Sequence, residues 1–179
     1  MDRLEALLVI DDKPDVHQAI RVALEAHVPT VDSILSPDDV ERFLGANRYD
    51  CVLLDMNFAP GERSGREGLE VLSRIKAIDP AVAVLFMTAF GAVSLAVESL
   101  KQGADDFLLK PWRNDALIAA VREAGARTRR AREGTTLDGL ERAAIDRALG
   151  IHNGNIARTA ASLGLSRGAL YRRMAKHGL

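Results

Sequence analysis

Asp55 closes the run Cys51-Val52-Leu53-Leu54, four apolar residues leading straight into a carboxylate. A short apolar run bounded by turn residues suits a strand buried on both faces. An acid at the carboxyl end of such a strand stands where open α/β sheets place their ligands. It can serve there as a nucleophile or a metal ligand, or more plainly as a helix cap or turn residue. What converges on it decides. Ala6-Leu7-Leu8-Val9-Ile10 runs in the same way into Asp11 and Asp12, Val82 to Met87 ends at Thr88, and Asp106 to Leu109 ends at Lys110-Pro111. One end of the sheet would thus carry three acids, a hydroxyl and an amine. Clustered acids repel one another unless a cation joins them, and ligands that are all oxygen point to Mg²⁺. Lys110 and Thr88 would face an added anion. The set is suited to carrying a phosphoryl group on a carboxylate.

The elements that must position these residues follow from the spacing between them. Pro14 suits the first turn of a helix, and Val16, Ala19, Ile20, Ala23 and Leu24 repeat at helical intervals. Thr30 to Leu35 reads as a strand. Ser36-Pro37-Asp38-Asp39 then offers an N-cap, a proline at N1 and acids in a first turn. Leu69, Leu72 and Ile75 predict a third helix closed by Asp79-Pro80. Val93, Ala96, Val97 and Leu100 predict a fourth, and Leu117, Ala120, Val121 and Ala124 a fifth. Strands alternating with helices in this way indicate an α/β domain with a parallel sheet covered on both faces.

The 179 residues suffice for one domain of ordinary size and a small one. No apolar run approaches the ~20 residues of a membrane span, and the N-terminus lacks the basic-then-apolar pattern of a signal peptide. The single cysteine, Cys51, excludes an internal disulfide. These features imply a cytoplasmic protein with no membrane partner. The net charge of −1 conceals an asymmetry. Residues 1–127 hold 14 Lys+Arg against 21 Asp+Glu, a net −7, and residues 128–179 hold 10 against 4, a net +6. An acidic body with a basic tail implies that the tail alone meets a polyanion.

Residues 4 to about 126 resemble the receiver domain of bacterial two-component response regulators. The resemblance is carried by Ile10-Asp11-Asp12, Leu54-Asp55, Met87-Thr88-Ala89 and Gly103-Ala104-Asp105-Asp106-Phe107-Leu108-Leu109-Lys110-Pro111, in that order and spacing. It implies a flavodoxin-like, doubly wound, five-stranded parallel sheet in the order 2-1-3-4-5. It also implies that Asp55 is the phosphoacceptor, loaded by a sensor histidine kinase. Asp12 would bind Mg²⁺ directly and Asp11 through water, with the backbone carbonyl of Asn57 completing the protein ligands. Thr88 and Lys110 would hold phosphoryl oxygens, Phe107 would be the aromatic switch partner of Thr88, and Lys110-Pro111 would be a cis bond. One stretch departs from the pattern. Phe58-Ala59-Pro60-Gly61-Glu62-Arg63-Ser64-Gly65-Arg66-Glu67-Gly68 makes the loop after Asp55 about five residues longer than receivers usually have. It could select the kinase or slow dephosphorylation, or be a neutral insertion of the kind surface loops accept cheaply.

Residues 127–134 carry five charges and read as a solvated linker or a helix extension. We divide the chain into a receiver over 1–126, a linker over 127–136 and an output domain over 137–179. Thr135-Thr136 can cap a helix with apolar positions Leu137, Leu140, Ala144, Ile145 and Ala148. His152-Asn153-Gly154-Asn155 is a turn, followed by a short helix from Ile156 to Leu163, a tight turn at Gly164-Leu165-Ser166 and a last helix from Arg167 to Lys176. Two short helices about a glycine turn describe a helix-turn-helix, a second and small all-α domain. Ser166 would cap the second helix, whose contacting residues would be Ser166, Arg167, Ala169, Tyr171, Arg172, Arg173 and Lys176. Gly154-Asn155, Ala160-Ala161 and Leu165-Ser166-Arg167-Gly168-Ala169-Leu170-Tyr171-Arg172-Arg173 resemble the Fis-type DNA-binding domain that ends NtrC-type regulators.

NtrC-type regulators usually carry an ATPase between these parts. This sequence contains no Gly-x-x-x-x-Gly-Lys-Ser/Thr, so we expect no ATP hydrolysis and no enzyme beyond phosphoryl acceptance and self-dephosphorylation. The resemblance implies a transcriptional regulator that binds DNA. Its affinity would come from a homodimer on a two-fold operator, with the apolar stripe from Leu137 to Ala148 as the output dimer face. Lys101, Asp105, Arg113 and Arg122 could pair across a receiver dimer. The alternative is a phosphotransfer or sequestering protein whose basic helices bind protein. A phosphatase of the haloacid dehalogenase type would want a second acid two residues after Asp55, where Asn57 stands.

Overall fold

The computed structural model describes residues 4–58, 65–89 and 100–179. The chain divides into two compact units, Met1–Arg129 and Arg130–Leu179. In the first, five strands form one parallel sheet: β1 (Ala6–Ile10), β2 (Thr30–Ile34), β3 (Cys51–Asp55), β4 (Ala83–Ala89) and β5 (Asp106–Lys110). Their order is β2-β1-β3-β4-β5, as the receiver resemblance implies. Helices α1 (Pro14–Leu24), α2 (Val40–Ala46), α3 (Arg66–Ile78) and α4 (Asn114–Thr135) accompany them, with a 3-10 turn over Pro37–Asp39 ahead of α2. That turn is where the sequence predicts a helix start, and Ser36 Oγ accepts from the Asp38 amide at 3.2 Å. The fourth predicted helix lies, apart from Leu100, outside the described residues, as do residues 59–64 of the long loop.

Strand alternation splits the core into two layers. Leu8, Ile10, Val52, Leu54, Val84 and Phe86 face Val40 and Leu44 of α2 and Val71, Leu72 and Ile75 of α3. Leu7, Val9, Cys51, Leu53, Leu85 and Met87 face Ile20 and Leu24 of α1 and Leu117, Val121 and Ala124 of α4. Apolar residues on both faces of a strand are what its unbroken apolar sequence requires.

Helix α4 runs through the charged stretch that the sequence left as a linker or a helix extension, ending at Thr135. Thr128 within it is fully buried against the receiver sheet. In the second unit α5 (Leu137–Ile151), α6 (Ile156–Ser162) and α7 (Arg167–His177) enclose a small core of Ile145, Ala160 and Leu170, packed by Leu149, Ile156, Leu163, Leu165 and Met174. Each of the three helices has a side-chain cap at its N-terminus, at Asn155 as well as at the expected Thr136 and Ser166. Thr136 accepts from Gly139, Asn155 from Arg158 and Ser166 from Ala169.

Candidate functional site

The period of two that fills the core continues to the strand ends and sorts the polar residues there. Asp11 and Asp55 continue the face of Leu7, Val9, Cys51 and Leu53, and Lys110 continues that of Leu108. Thr88 and Phe107 take the opposite face, where Phe107 packs on the layer beneath α2 and α3. Lys110 Nζ donates to Asp11 Oδ2 and to Asp55 Oδ1, both at 2.6 Å. The other oxygens are also engaged: Asp11 Oδ1 accepts from the Lys13 amide at 2.9 Å and Asp55 Oδ2 from the Asn57 amide at 3.2 Å. Asp11, Asp55 and Thr88 are buried, and Lys110–Pro111 is cis.

Burial raises the Asp55 carboxyl above its ordinary value. Asp11 adds to the rise, while Lys110 and the Asn57 amide pull it down. Burial also works against the Lys110 ammonium, but its bonds to Asp11 and Asp55 outweigh that and hold its pKa above the usual lysine value. Asp11, Asp12 and Asp55 each bring an oxygen within 4.8 Å of the others. Asp12 Oδ1 is buried without a hydrogen-bond partner. Three clustered carboxylates, two of them bridged by one ammonium and the third with an orphaned oxygen, fit a hard divalent cation.

Three side-chain contacts escape sequence reasoning, one of them at Asn57, which the resemblance names for its carbonyl alone. His17 is buried in α1 and its Nε2 lies 2.7 Å from the Asp11 carbonyl oxygen. Glu67 accepts from the Phe58 amide at 3.0 Å, and the Asn57 side chain accepts from the Gly65 amide at 2.9 Å. All three act through main-chain atoms, which leave no trace in residue type or spacing.

In the second unit the named contact residues of α7 divide. Arg167, Tyr171 and Arg172 are exposed, and neither arginine is paired with an acid among the described residues. Ala169 is half-buried, and Ser166 caps the helix. Arg173 Nε lies 2.6 Å from Glu141, and Lys176 Nζ lies 2.6 Å from Asp138 and 3.7 Å from Glu141. Those two cations face the start of α5.

A doubly wound sheet with an acid trio and a lysine at its carboxyl end defines a receiver. Residues 7–122 match the response regulator receiver domain family, and the chain belongs to it. Residues 136–177 match the family described as bacterial regulatory protein, Fis family. The C4-dicarboxylate transport transcriptional regulatory protein DctD of Rhizobium meliloti is 29% identical over 76% of this chain and 29% of its own length. The transcriptional regulatory protein ZraR of Salmonella typhimurium is 35% identical over 69% of this chain and 27% of its own. The chain thus spans under a third of either relative. The N-terminal signal receiver domain of a Bacteroides fragilis response regulator is similar in structure, with a TM-score of 0.62 and 34% identity over 68% of this chain and 97% of that one.

Proposed function

We propose that this chain is a response regulator that accepts a phosphoryl group on Asp55 from a sensor histidine kinase and binds DNA through α6 and α7. The observation that carries the reading is Lys110 Nζ bridging Asp11 and Asp55 at 2.6 Å beside the partnerless Asp12 Oδ1. Asp12 would hold Mg²⁺ directly, Asp11 through water, and the Asn57 carbonyl would complete the set. When bound, the ion would offset the negative charge of the phosphoryl oxygens.

The chain's own residues do the rest. An oxygen of ionised Asp55 forms the new bond to phosphorus, and the donor's leaving group departs with the electrons of the broken bond. Lys110, already between the two carboxylates, moves its ammonium to a phosphoryl oxygen, and the Thr88 hydroxyl takes another. Thr88 and Phe107 share a face of the sheet, which supports reading them as a switch pair. Arg167, Tyr171 and Arg172 supply an exposed basic and aromatic surface at the start of α7, where helix-turn-helix proteins reach base edges. The acidic body and basic tail keep nucleic acid to that end.

Acetyl phosphate with Mg²⁺ should add one phosphoryl group to the wild type, read as intact mass, and none to Asp55→Asn. Label persisting in that variant would move the chemistry elsewhere.

A further inference from the structure

The loop after Asp55 leaves the strand next to a proposed metal ligand, and its base is closed from both sides. Asn57 Oδ1 accepts from the Gly65 amide at 2.9 Å, and Glu67 Oε2 accepts from the Phe58 amide at 3.0 Å. One turn on, the Gly68 amide donates to the Met56 carbonyl at 3.3 Å. Gly68 must be glycine for this approach. A Cβ there would lie 2.8 Å from Met56 O and 2.9 Å from Phe86 Cε1. Three bonds therefore tie Met56, Asn57 and Phe58 directly to the start of α3. Whatever residues 59–64 do, the main chain at Asn57 is held by contacts that bypass them.

Mg²⁺ demands near-ideal octahedral geometry at about 2.0–2.1 Å, so a carbonyl ligand displaced by a fraction of an ångström is a poor one. Contacts across the base of the loop can hold that carbonyl independently of what lies between Phe58 and Gly65. We propose that Asn57 and Glu67 are positioning residues, a clasp across the base of the long loop that fixes the Asn57 carbonyl for the divalent cation. The inference rests on the reading of the acid pocket as a cation site. The clasp works through acceptor oxygens and not through charge, since both side chains receive main-chain N–H groups.

The test is cation binding by the full chain without phosphodonor, with Mn²⁺ as the probe and free Mn²⁺ followed by electron paramagnetic resonance. Mn²⁺ takes the same oxygen ligands. The wild type should bind one ion, and Asp12→Ala should lose it. Glu67→Ala and Asn57→Ala should each weaken binding by about 10–100-fold, the usual effect of removing a group that orients a ligand. Glu67→Gln keeps an acceptor oxygen without the charge and should bind close to wild type. Thermal unfolding of each variant identifies any that fails to fold, and the two alanine changes on opposite sides of the loop serve as each other's replacement. Wild-type affinity in both alanine variants, with Asp12→Ala defective, would overturn the clasp alone. Equal weakening by Glu67→Ala and Glu67→Gln would also overturn it, because charge would then be the cause. No uptake by the wild type, or full uptake by Asp12→Ala, would overturn the pocket and the clasp together.

Discussion

Thr128 joins three parts of the receiver unit through one hydroxyl. Its Oγ1 donates to the Asp50 carbonyl at 2.6 Å and accepts from the Ala83 amide at 2.8 Å, at the starts of β3 and β4. The Asp50 carboxylate in turn accepts from the Glu5 amide at 2.6 Å, just ahead of β1. Thr128→Val keeps the shape and strands the buried Ala83 N–H, which should cost about 1–3 kcal/mol. Equilibrium urea unfolding checks it: the midpoint should fall with the slope unchanged, and an unchanged midpoint would mean that water satisfies the amide. Thr128 also shows where residue-level reading of the sequence stops. Asp11, Asp12, Asp55, Thr88 and Lys110 could be picked out because each ends an apolar strand, so type and position speak together. Thr128, His17 and Glu67 sit among polar residues on helices, and their partners are carbonyls and amides that every residue has. Their burial and contacts required the fold.

At the level of elements, the hydrophobic period located strands and helices well, and what it left open was which side of a helix meets what. The stripe Leu137, Leu140, Ala144, Ile145 and Ala148 reads as one face, but the structure divides it. Ile145 and Ala148 are buried in the output unit's own core, whereas Leu137 is 86% and Leu140 55% exposed. Ala144 is exposed, and so is Ile151, two turns further along. What α5 leaves exposed is therefore Leu137, Leu140, Ala144 and Ile151, spaced at three, four and seven residues. The receiver charges divide likewise. Asp105 lies 3.0 Å from Lys76, Arg113 lies 2.7 Å from Asp115, and Arg122 lies 3.2 Å from His27, so all three already have partners within the protomer. The start of α5 is set by the corner before it. Thr136 caps the helix, and Gly139 packs so closely on the Glu133 carbonyl that a Cβ would overlap it. Thr136→Ala should cost about 0.5–2 kcal/mol, the usual loss for such a cap. Gly139→Ala should do more, because the corner itself must open. Near-wild-type unfolding of Gly139→Ala, with Thr136→Ala lower, would show that the corner is not held closed.

Across the whole molecule, the split of net charge, −7 over residues 1–127 and +6 over 128–179, predicts a steep salt dependence for DNA binding. How the charge is placed refines the prediction. Arg172 is exposed and open, so Arg172→Ala should flatten the log–log salt slope by about one unit. Arg167 begins the recognition helix, and Arg167→Ala should cost about 1–3 kcal/mol at the specific site. Lys176 is different, because Asp138 holds its ammonium at 2.6 Å and Glu141 stands at 3.7 Å. A phosphate must displace Asp138 to reach it, so Lys176→Ala alone should change affinity little. Asp138→Asn should then tighten binding to all sequences alike and steepen the slope by up to about one unit, as a released lysine would. Removing an acid anywhere near DNA also tightens binding, so the double variant decides. If Lys176 carries the effect, Asp138→Asn gains nothing once Lys176 is alanine, and the two changes are strongly non-additive. Additive effects would make Asp138 a plain repulsive charge. A flat salt response in the wild type would sink the DNA-binding reading itself. The same titration with acetyl phosphate-treated protein tests the coupling, which predicts tighter binding of the phosphorylated form to a two-fold site.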